Sequence, residues 1–290
     1  MNDRSSLTAE YMALFRAMES SLPDEERLFC DPYAPLFLRR WRRWACAAAR
    51  FEAGRRIVEG LLDRSAPGAR AAGIARTKWF DDGISRAIET CRQLVLLGAG
   101  FDTRAYRLPA AQGVDTFELD APPMSAAKQA ALQTRIGALP ERVHFVAIDF
   151  NSEPAADALR RAGFNPSRST CFVWEGVTNY LAPAAVDTVL REVAQAAGGS
   201  LLLFTYVDRR VLEKPELFFG AERLLARLRS YGEPWTFGLY PEELDQYLAA
   251  RGLRLLEDLS VSDVWRAAAR RGPGTRGYEF YRLARACVPG

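Results

Sequence analysis

The sequence predicts an α/β protein, with a seven-stranded, mostly parallel sheet, a helical extension before it and a helical insertion after the fifth strand. Two observations carry that prediction. From residue 93 onward, short apolar runs alternate with segments of helical spacing, as in a parallel sheet covered by helices. The first four runs, residues 94–102, 116–120, 143–149 and 171–175, each close on a carboxylate: Asp102, Asp120, Asp149 and Glu175. They are short and rich in β-branched or aromatic residues, the composition of strands buried on both faces. Ligands of open α/β sheets lie beyond the carboxyl ends of the strands, so this row of acids marks a candidate binding edge.

The elements follow in order. Residues 9–20 carry apolar side chains at helical spacing and break at Leu22-Pro23-Asp24. After Asp31-Pro32 a second helix is expected, capped by Asp31 and carrying proline in its first turn. It sets Phe37, Leu38, Trp41 and Trp44 among Arg39, Arg40, Arg42 and Arg43. That pattern fits an amphipathic helix with snorkelling arginines, a lid over a site, or both. Residues 1–75 thus read as an N-terminal helical cap and 76–290 as the domain that holds the sheet. The helix at 121–137 opens with two prolines, and helices at 155–163 and 183–197 follow, the last stopped by Gly198-Gly199. Residues 200–207 form an almost wholly apolar fifth strand. Residues 208–240 are expected to be mostly helical and are too long for a simple connection, so they read as a lid inserted over the strand ends. A helix at 241–251 ends at Gly252, and 253–261 and 278–285 supply the last two strands around an Arg/Gly/Pro-rich hairpin connection.

Composition narrows the function classes. The chain has 290 residues, 49% of them apolar and 26% charged, which suits a soluble domain with a substantial core. Its 39 basic and 36 acidic residues nearly balance, and they form no clear basic stripe, so a nucleic-acid partner is not expected. Lys78, Lys128 and Lys214 are the only lysines; the arginine and alanine bias suggests a GC-rich bacterial genome. Cys30, Cys46, Cys91, Cys171 and Cys287 are scattered without a C-x-x-C pair, and His144 is the single histidine. Neither a metal site nor a disulfide framework is expected. The N-terminal residues lack an apolar leader region and no run is long enough to span a bilayer, so a cytoplasmic protein without membrane contact is expected. Oligomeric state is left open.

The binding edge has a definite chemistry. Gly98-Ala99-Gly100 permits a sharp turn and close approach of backbone to a ligand. A dinucleotide fingerprint would place a third glycine at position 103 and leave the following helix start free for a pyrophosphate. This chain has Thr103 there and Asp102 before it. A carboxylate repels a diphosphate but not a sulfonium or an ammonium, so S-adenosylmethionine is favoured over a dinucleotide. Asp120 lies about 20 residues after the turn, where an acid holds ribose hydroxyls. Asp149 suits the exocyclic amine of adenine, with Phe150 as an apolar wall, and Glu175 lies where the methionine part would sit.

At these residues the chain resembles a known family. Residues 96–108, Leu-Leu-Gly-Ala-Gly-Phe-Asp-Thr-Arg-Ala-Tyr-Arg-Leu, are similar to the hallmark of the leucine carboxyl methyltransferase-like family. Phe117-Glu118-Leu119-Asp120 with Lys128, Asp149-Phe150, and residues 175–181 resemble its further motifs, as do residues 16–20, 27–32 and Arg76-Thr77. The resemblance implies the class I methyltransferase (Rossmann-like) fold, with S-adenosylmethionine as cofactor and S-adenosylhomocysteine as product. It further implies that Arg76 pairs with the cofactor's carboxylate, that Gly98 lies against its methionine part, and that Glu175 engages its amino end. Val177-Thr178-Asn179 departs from the bulkier apolar residues usual there, which points to a more polar or differently placed substrate.

The acceptor follows from what is missing. A carboxylate is ionised at neutral pH and needs no general base, whereas an alcohol or phenol does, and histidine is the commonest. His144 lies early in the third strand, at the end away from the chemistry. The expectation is therefore O-methylation of a carboxylate, or an acidic phenol, on a small metabolite of polyketide type. Tyr206 and Asp208, closing the fifth strand, are the candidate acceptor contacts, and Asp208 or Glu175 a candidate base for a phenol. The alternatives are carboxyl methylation of a protein C-terminus, a nicotinamide-dependent oxidoreductase on a similar sheet, and a binding protein that keeps the cofactor pocket without catalysis.

Overall fold

The computed structural model describes residues 6–150, 153–268 and 276–290. Four helices come first: α1 (Leu7–Ser20), α2 (Arg40–Ala48), α3 (Glu52–Ser65) and α4 (Ala69–Ala87). β1 (Gln93–Leu97) then leads through the glycine turn to the short α5 (Arg104–Arg107), β2 (Asp115–Asp120), α6 (Pro122–Ile136) and β3 (Val143–Ala147). Next come α7 (Ala155–Arg161), β4 (Thr170–Trp174), α8 (Pro183–Val193) and β5 (Leu201–Val207). The chain continues with α9 (Arg210–Glu213), α10 (Ala221–Tyr231), α11 (Leu244–Ala249), β6 (Arg254–Ser260), α12 (Val261–Ala268) and β7 (Tyr281–Cys287).

The seven strands form one sheet in the order β3-β2-β1-β4-β5-β7-β6. All pairings from β3 to β5 are parallel, and β7 runs antiparallel between β5 and β6. Because side chains alternate across a strand, each strand feeds two cores. Leu94, Leu96, Val173, Leu203 and Val207 pack with Phe80 and Ile84 of α4 and with Trp265 of α12. Val95, Leu97, Phe172, Trp174, Leu202, Phe204 and Tyr206 pack on the opposite face with Val186 and Leu190 of α8 and Leu248 of α11. A third cluster joins Leu14 and Met18 of α1 to Phe101, Tyr106 and Leu132, with Phe37 stacked on Phe101 at 4.5 Å.

α4 runs through residues 75 and 76, and its residues from Ala71 to Ile84 pack against the sheet. Two expectations need correction. The helix expected after Asp31-Pro32 is split: Asp31 caps a 3₁₀ turn at Ala34–Phe37, and α2 begins only at Arg40. Residues 208–240 hold α9, a 3₁₀ turn and α10, and then return extended to a parallel bridge between Asp208 and Leu239. The link between the last two strands is no simple hairpin, because α12 packs on α4 within it; residues 269–275 of that link lie outside the described residues. Trp41 and Trp44 stand 59% and 74% exposed, while Arg42 between them is buried over the Tyr11 ring. No helix among the described residues is long and apolar enough to cross a membrane.

Candidate functional site

A cavity of about 740 Å³ opens at the carboxyl ends of β1, β2, β3 and β4. Arg76, Gly98, Gly100, Asp102, Asp120, Asp149, Phe150 and Glu175 all line it. Tyr206 and Asp208 do not. The expectation that they contact an acceptor is corrected by the pleat. Tyr206 shares the face of Leu202 and Phe204, is fully buried, and donates its hydroxyl to Asp258 of β6 at 2.9 Å. Asp208 is turned to Arg210, accepting from its backbone N–H at 3.0 Å and pairing with its guanidinium at 2.8 Å. Position at a strand end was right; the side-chain direction was not. His144 also stays away, stacked on Phe117 at 4.7 Å.

Local sequence builds the floor of the cavity. Gly98 and Gly100 take φ values of +74° and +44°, where glycine alone avoids strain. A Cβ on Gly98 would also meet Val177 Cγ2 at 2.5 Å. Gly98→Ala is therefore expected to destabilise the protein by about 1–3 kcal/mol, read by urea unfolding. Adding Val177→Ala should relieve the clash but leave the φ strain; no loss in the single variant would refute the steric account.

Asp120 fastens the turn to β2. Its two oxygens accept from Gly100 N at 2.5 Å and Ala121 N at 2.7 Å. Burial pushes its carboxyl above the ordinary value, and these two N–H groups only partly offset that.

A chain of buried ion pairs forms the adjoining wall. Arg76 Nε donates to Glu175 Oε1 at 2.7 Å, and Arg104 Nη1 lies 2.6 Å from both Glu175 Oε2 and Asp102 Oδ2. Arg104 Nε reaches Asp81 at 2.7 Å, and Arg107 holds the other side of Asp81. Thr103 Oγ1 donates to Asp31, which also pairs with Arg16 at 2.8 Å; Arg16 in turn donates to Phe101 O at 2.6 Å. The network thus runs from α1 to the glycine turn. Beneath it, Lys128 and Glu118 pair at 2.8 Å, both buried.

Burial would raise the Asp102 carboxyl, but Arg104 and then Lys128 hold it down at about 2. Glu175 is likewise lowered, burial being outweighed by Arg104 and Arg76, and Asp31 by Arg16 and Arg107. A depressed folded value gives stability above the ordinary carboxylate range that is lost as pH falls through the folded value. Unfolding free energy is therefore expected to fall from about pH 4 toward pH 2, and Asp102→Asn should flatten that part of the profile. Burial raises Asp120 and Glu118, so their contributions run the opposite way, weakening the fold as they ionise.

The rest of the cavity came from residues the sequence reading passed over. Tyr180, Trp235, Tyr278 and Tyr281 line it, with Tyr11 stacked on Tyr231 at 6.3 Å. The Arg76 guanidinium lies 5.1 Å from the centre of the Tyr281 ring. Burial pushes the Tyr180 phenol up to about 12. Tyr180 sits within the 175–181 motif and could have been found there; Trp235, Tyr278 and Tyr281 lie far along the chain and carry no local signal.

Comparison with known proteins fits this arrangement. The sequence model of the leucine carboxyl methyltransferase family matches residues 9–194. A Frankia alni protein, provisionally named an S-adenosyl-L-methionine-dependent methyltransferase, is 36% identical over 272 residues, covering 92% of this chain and 90% of its own length. A Mycolicibacterium smegmatis protein with the same provisional name is 36% identical over 278 residues, covering 87% and 90%. Among solved structures, a provisionally named methyltransferase from Thermobifida fusca YX superposes with a TM-score of 0.63, at 20% identity, over 100% of this chain and 97% of its own. A DUF574 family protein from Streptomyces avermitilis gives 0.60 at 18% identity, over 95% and 97%. At these identities the two structures show the fold.

Proposed function

The chain belongs to the leucine carboxyl methyltransferase family and is an S-adenosylmethionine-dependent methyltransferase, and from that premise we propose that it O-methylates a carboxylate of a small molecule. Membership of this family sets aside the nicotinamide-dependent alternative.

The residues present suit the cofactor. The cavity holds about 740 Å³, its lining has no Cβ at Gly98 or Gly100, and it carries acids and an arginine rather than a phosphate cradle. When bound, S-adenosylmethionine supplies a methyl group on a positively charged sulfur, whose transfer to an oxygen leaves S-adenosylhomocysteine. Asp120 accepts from the ribose hydroxyls, Asp149 takes the adenine amine, and Phe150 walls the ring. Arg76 holds the cofactor carboxylate by charge-assisted hydrogen bonds, and Glu175 the amino group. Asp102 and Glu175 stay ionised through Arg104 and favour the sulfonium over neutral product. Residues 1–75 act as cap and 208–240 as lid. The contacts of Glu233, which accepts from Leu7 N and Thr8 Oγ1, join the two over the cavity.

One observation carries the carboxylate reading: among the described residues lining the cavity there is no histidine, and the acids that close β2 and β4 and follow the glycine turn are tied down. Glu175 and Asp102 are paired with arginines, and Asp120 is held by two N–H groups. An acceptor that arrives ionised needs no base, and catalysis then rests on positioning and exclusion of water. The test is methyl transfer from radiolabelled S-adenosylmethionine to matched aromatic acids and alcohols. Label released as methanol by mild base is expected; a base-stable methyl ether would overturn the reading.

A further inference from the structure

We infer that the helical hairpin formed by α2 and α3 docks the protein on a membrane surface that carries anionic lipid. This goes beyond the proposed reaction and does not depend on it. The sequence expectation of no membrane contact rests on the want of a leader and of a spanning run, and no described helix crosses a bilayer. Lying on a membrane surface requires neither.

The hairpin turns apolar side chains to solvent. Of the eight large apolar residues exposed among the described residues, five belong to it: Trp41, Trp44, Phe51, Ile57 and Leu61. A helix held to the protein by its apolar face would bury the two tryptophans. α2 instead buries Arg42 and Cys46 and leaves both tryptophans out, and α3 buries no residue fully. Trp41 and Trp44 are three residues apart and Ile57 and Leu61 four, so each pair shares one face of its helix. Phe51 stands at the turn between the helices, which meet there: a Cβ on Gly54 would collide with the carbonyl of Ala48. From that turn the row Ile57, Leu61, Ser65 runs along α3 at four-residue spacing, and Ser65 lines the cavity. Exposed apolar patches of this kind mark interaction surfaces.

Charge says what covers this one. Residues 39–56 hold seven arginines against one acid, Glu52, in a chain whose net charge is only +3. Arg40, Arg43 and Arg50 are exposed and pair with no carboxylate among the described residues. The acids of α3 are already matched, Glu52 by Arg56, and Glu59 and Asp63 by Arg70. A second copy of the chain would set arginine against arginine across a two-fold contact, which is repulsive. A layer of anionic headgroups suits both halves of the face. Guanidinium groups pair with the phosphates while indole and phenyl rings sink beneath them, as basic and aromatic residues do at membrane interfaces.

Co-sedimentation of the full chain with phosphatidylcholine vesicles, with and without an equal share of phosphatidylglycerol, tests this. Partitioning is expected to be on the order of 100-fold stronger onto the mixed vesicles, from three unpaired arginines near an anionic surface, and to weaken with added salt. Arg40→Glu combined with Arg50→Glu should abolish that preference. Trp44→Ser combined with Phe51→Ser should weaken binding to the mixed vesicles at least about tenfold. All four side chains are exposed and none lines the cavity, so both double variants should melt as the parent does. A parent that does not bind the mixed vesicles, or binding that neither double variant weakens, overturns the docking. Two further results would also overturn it by giving the face another occupant. One is self-association of the parent that Trp44→Ser with Phe51→Ser abolishes; the other is binding to polyglutamate without binding to vesicles.

Discussion

Replacing Arg104 by methionine is expected to destabilise the protein by about 3–5 kcal/mol, because it strands the buried Asp102 carboxylate and leaves Asp81 and Glu175 with one arginine each. Arg104 is 3% exposed and contacts Asp81, Asp102 and Glu175 within 2.7 Å. Methionine fills much of the same volume, so the loss reports charge rather than a cavity. For a chain of this size the midpoint of thermal unfolding should drop by roughly 10 °C, measured by circular dichroism. Adding Asp102→Asn should recover part of the loss, since it removes the stranded charge. A single variant that melts within about 2 °C of the parent would show that the network contributes little to stability.

Asp120→Ala is expected to weaken binding of S-adenosylmethionine and S-adenosylhomocysteine about 100-fold. Two hydrogen bonds from ribose hydroxyls to a charged acceptor supply roughly 3 kcal/mol, which is that factor. The same change frees Gly100 N and Ala121 N, so the glycine turn loses its fastening to β2. Asp120→Asn keeps one oxygen acceptor and should fall between, near a tenfold loss. Titration calorimetry reads both. Unchanged affinity in Asp120→Ala would remove this residue from the ribose site.

The sequence made most of the sheet legible because burial on both faces writes itself as a run of apolar residues. Residues 94–97, 116–119, 143–147 and 171–174 needed no partner to be recognised. The glycine turn and the four acids were readable for the same local reason. What escaped depends on contacts between distant residues. Arg104 meets Glu175 across 71 positions, and Arg76 meets it across 99. Tyr206 was misplaced because a strand's end fixes position but not which face its last residues show. α12 was missed because only eight residues, Val261–Ala268, separate the end of β6 from the Arg/Gly/Pro-rich stretch.

The position of β7 sets the order in which this sheet can be completed during synthesis. Among the described residues β6 pairs only with β7, and β7 also pairs with β5. A nascent chain that has exposed β6 still has nothing for it to join until residues 281–287 emerge. The five parallel strands can assemble earlier, but one flank of the sheet closes only after translation reaches its last strand. Until then β5 presents an unpaired edge of largely apolar residues, the kind of surface that aggregates or recruits chaperones. Loss of β7 should therefore lower the yield of folded protein more than its share of the buried area suggests.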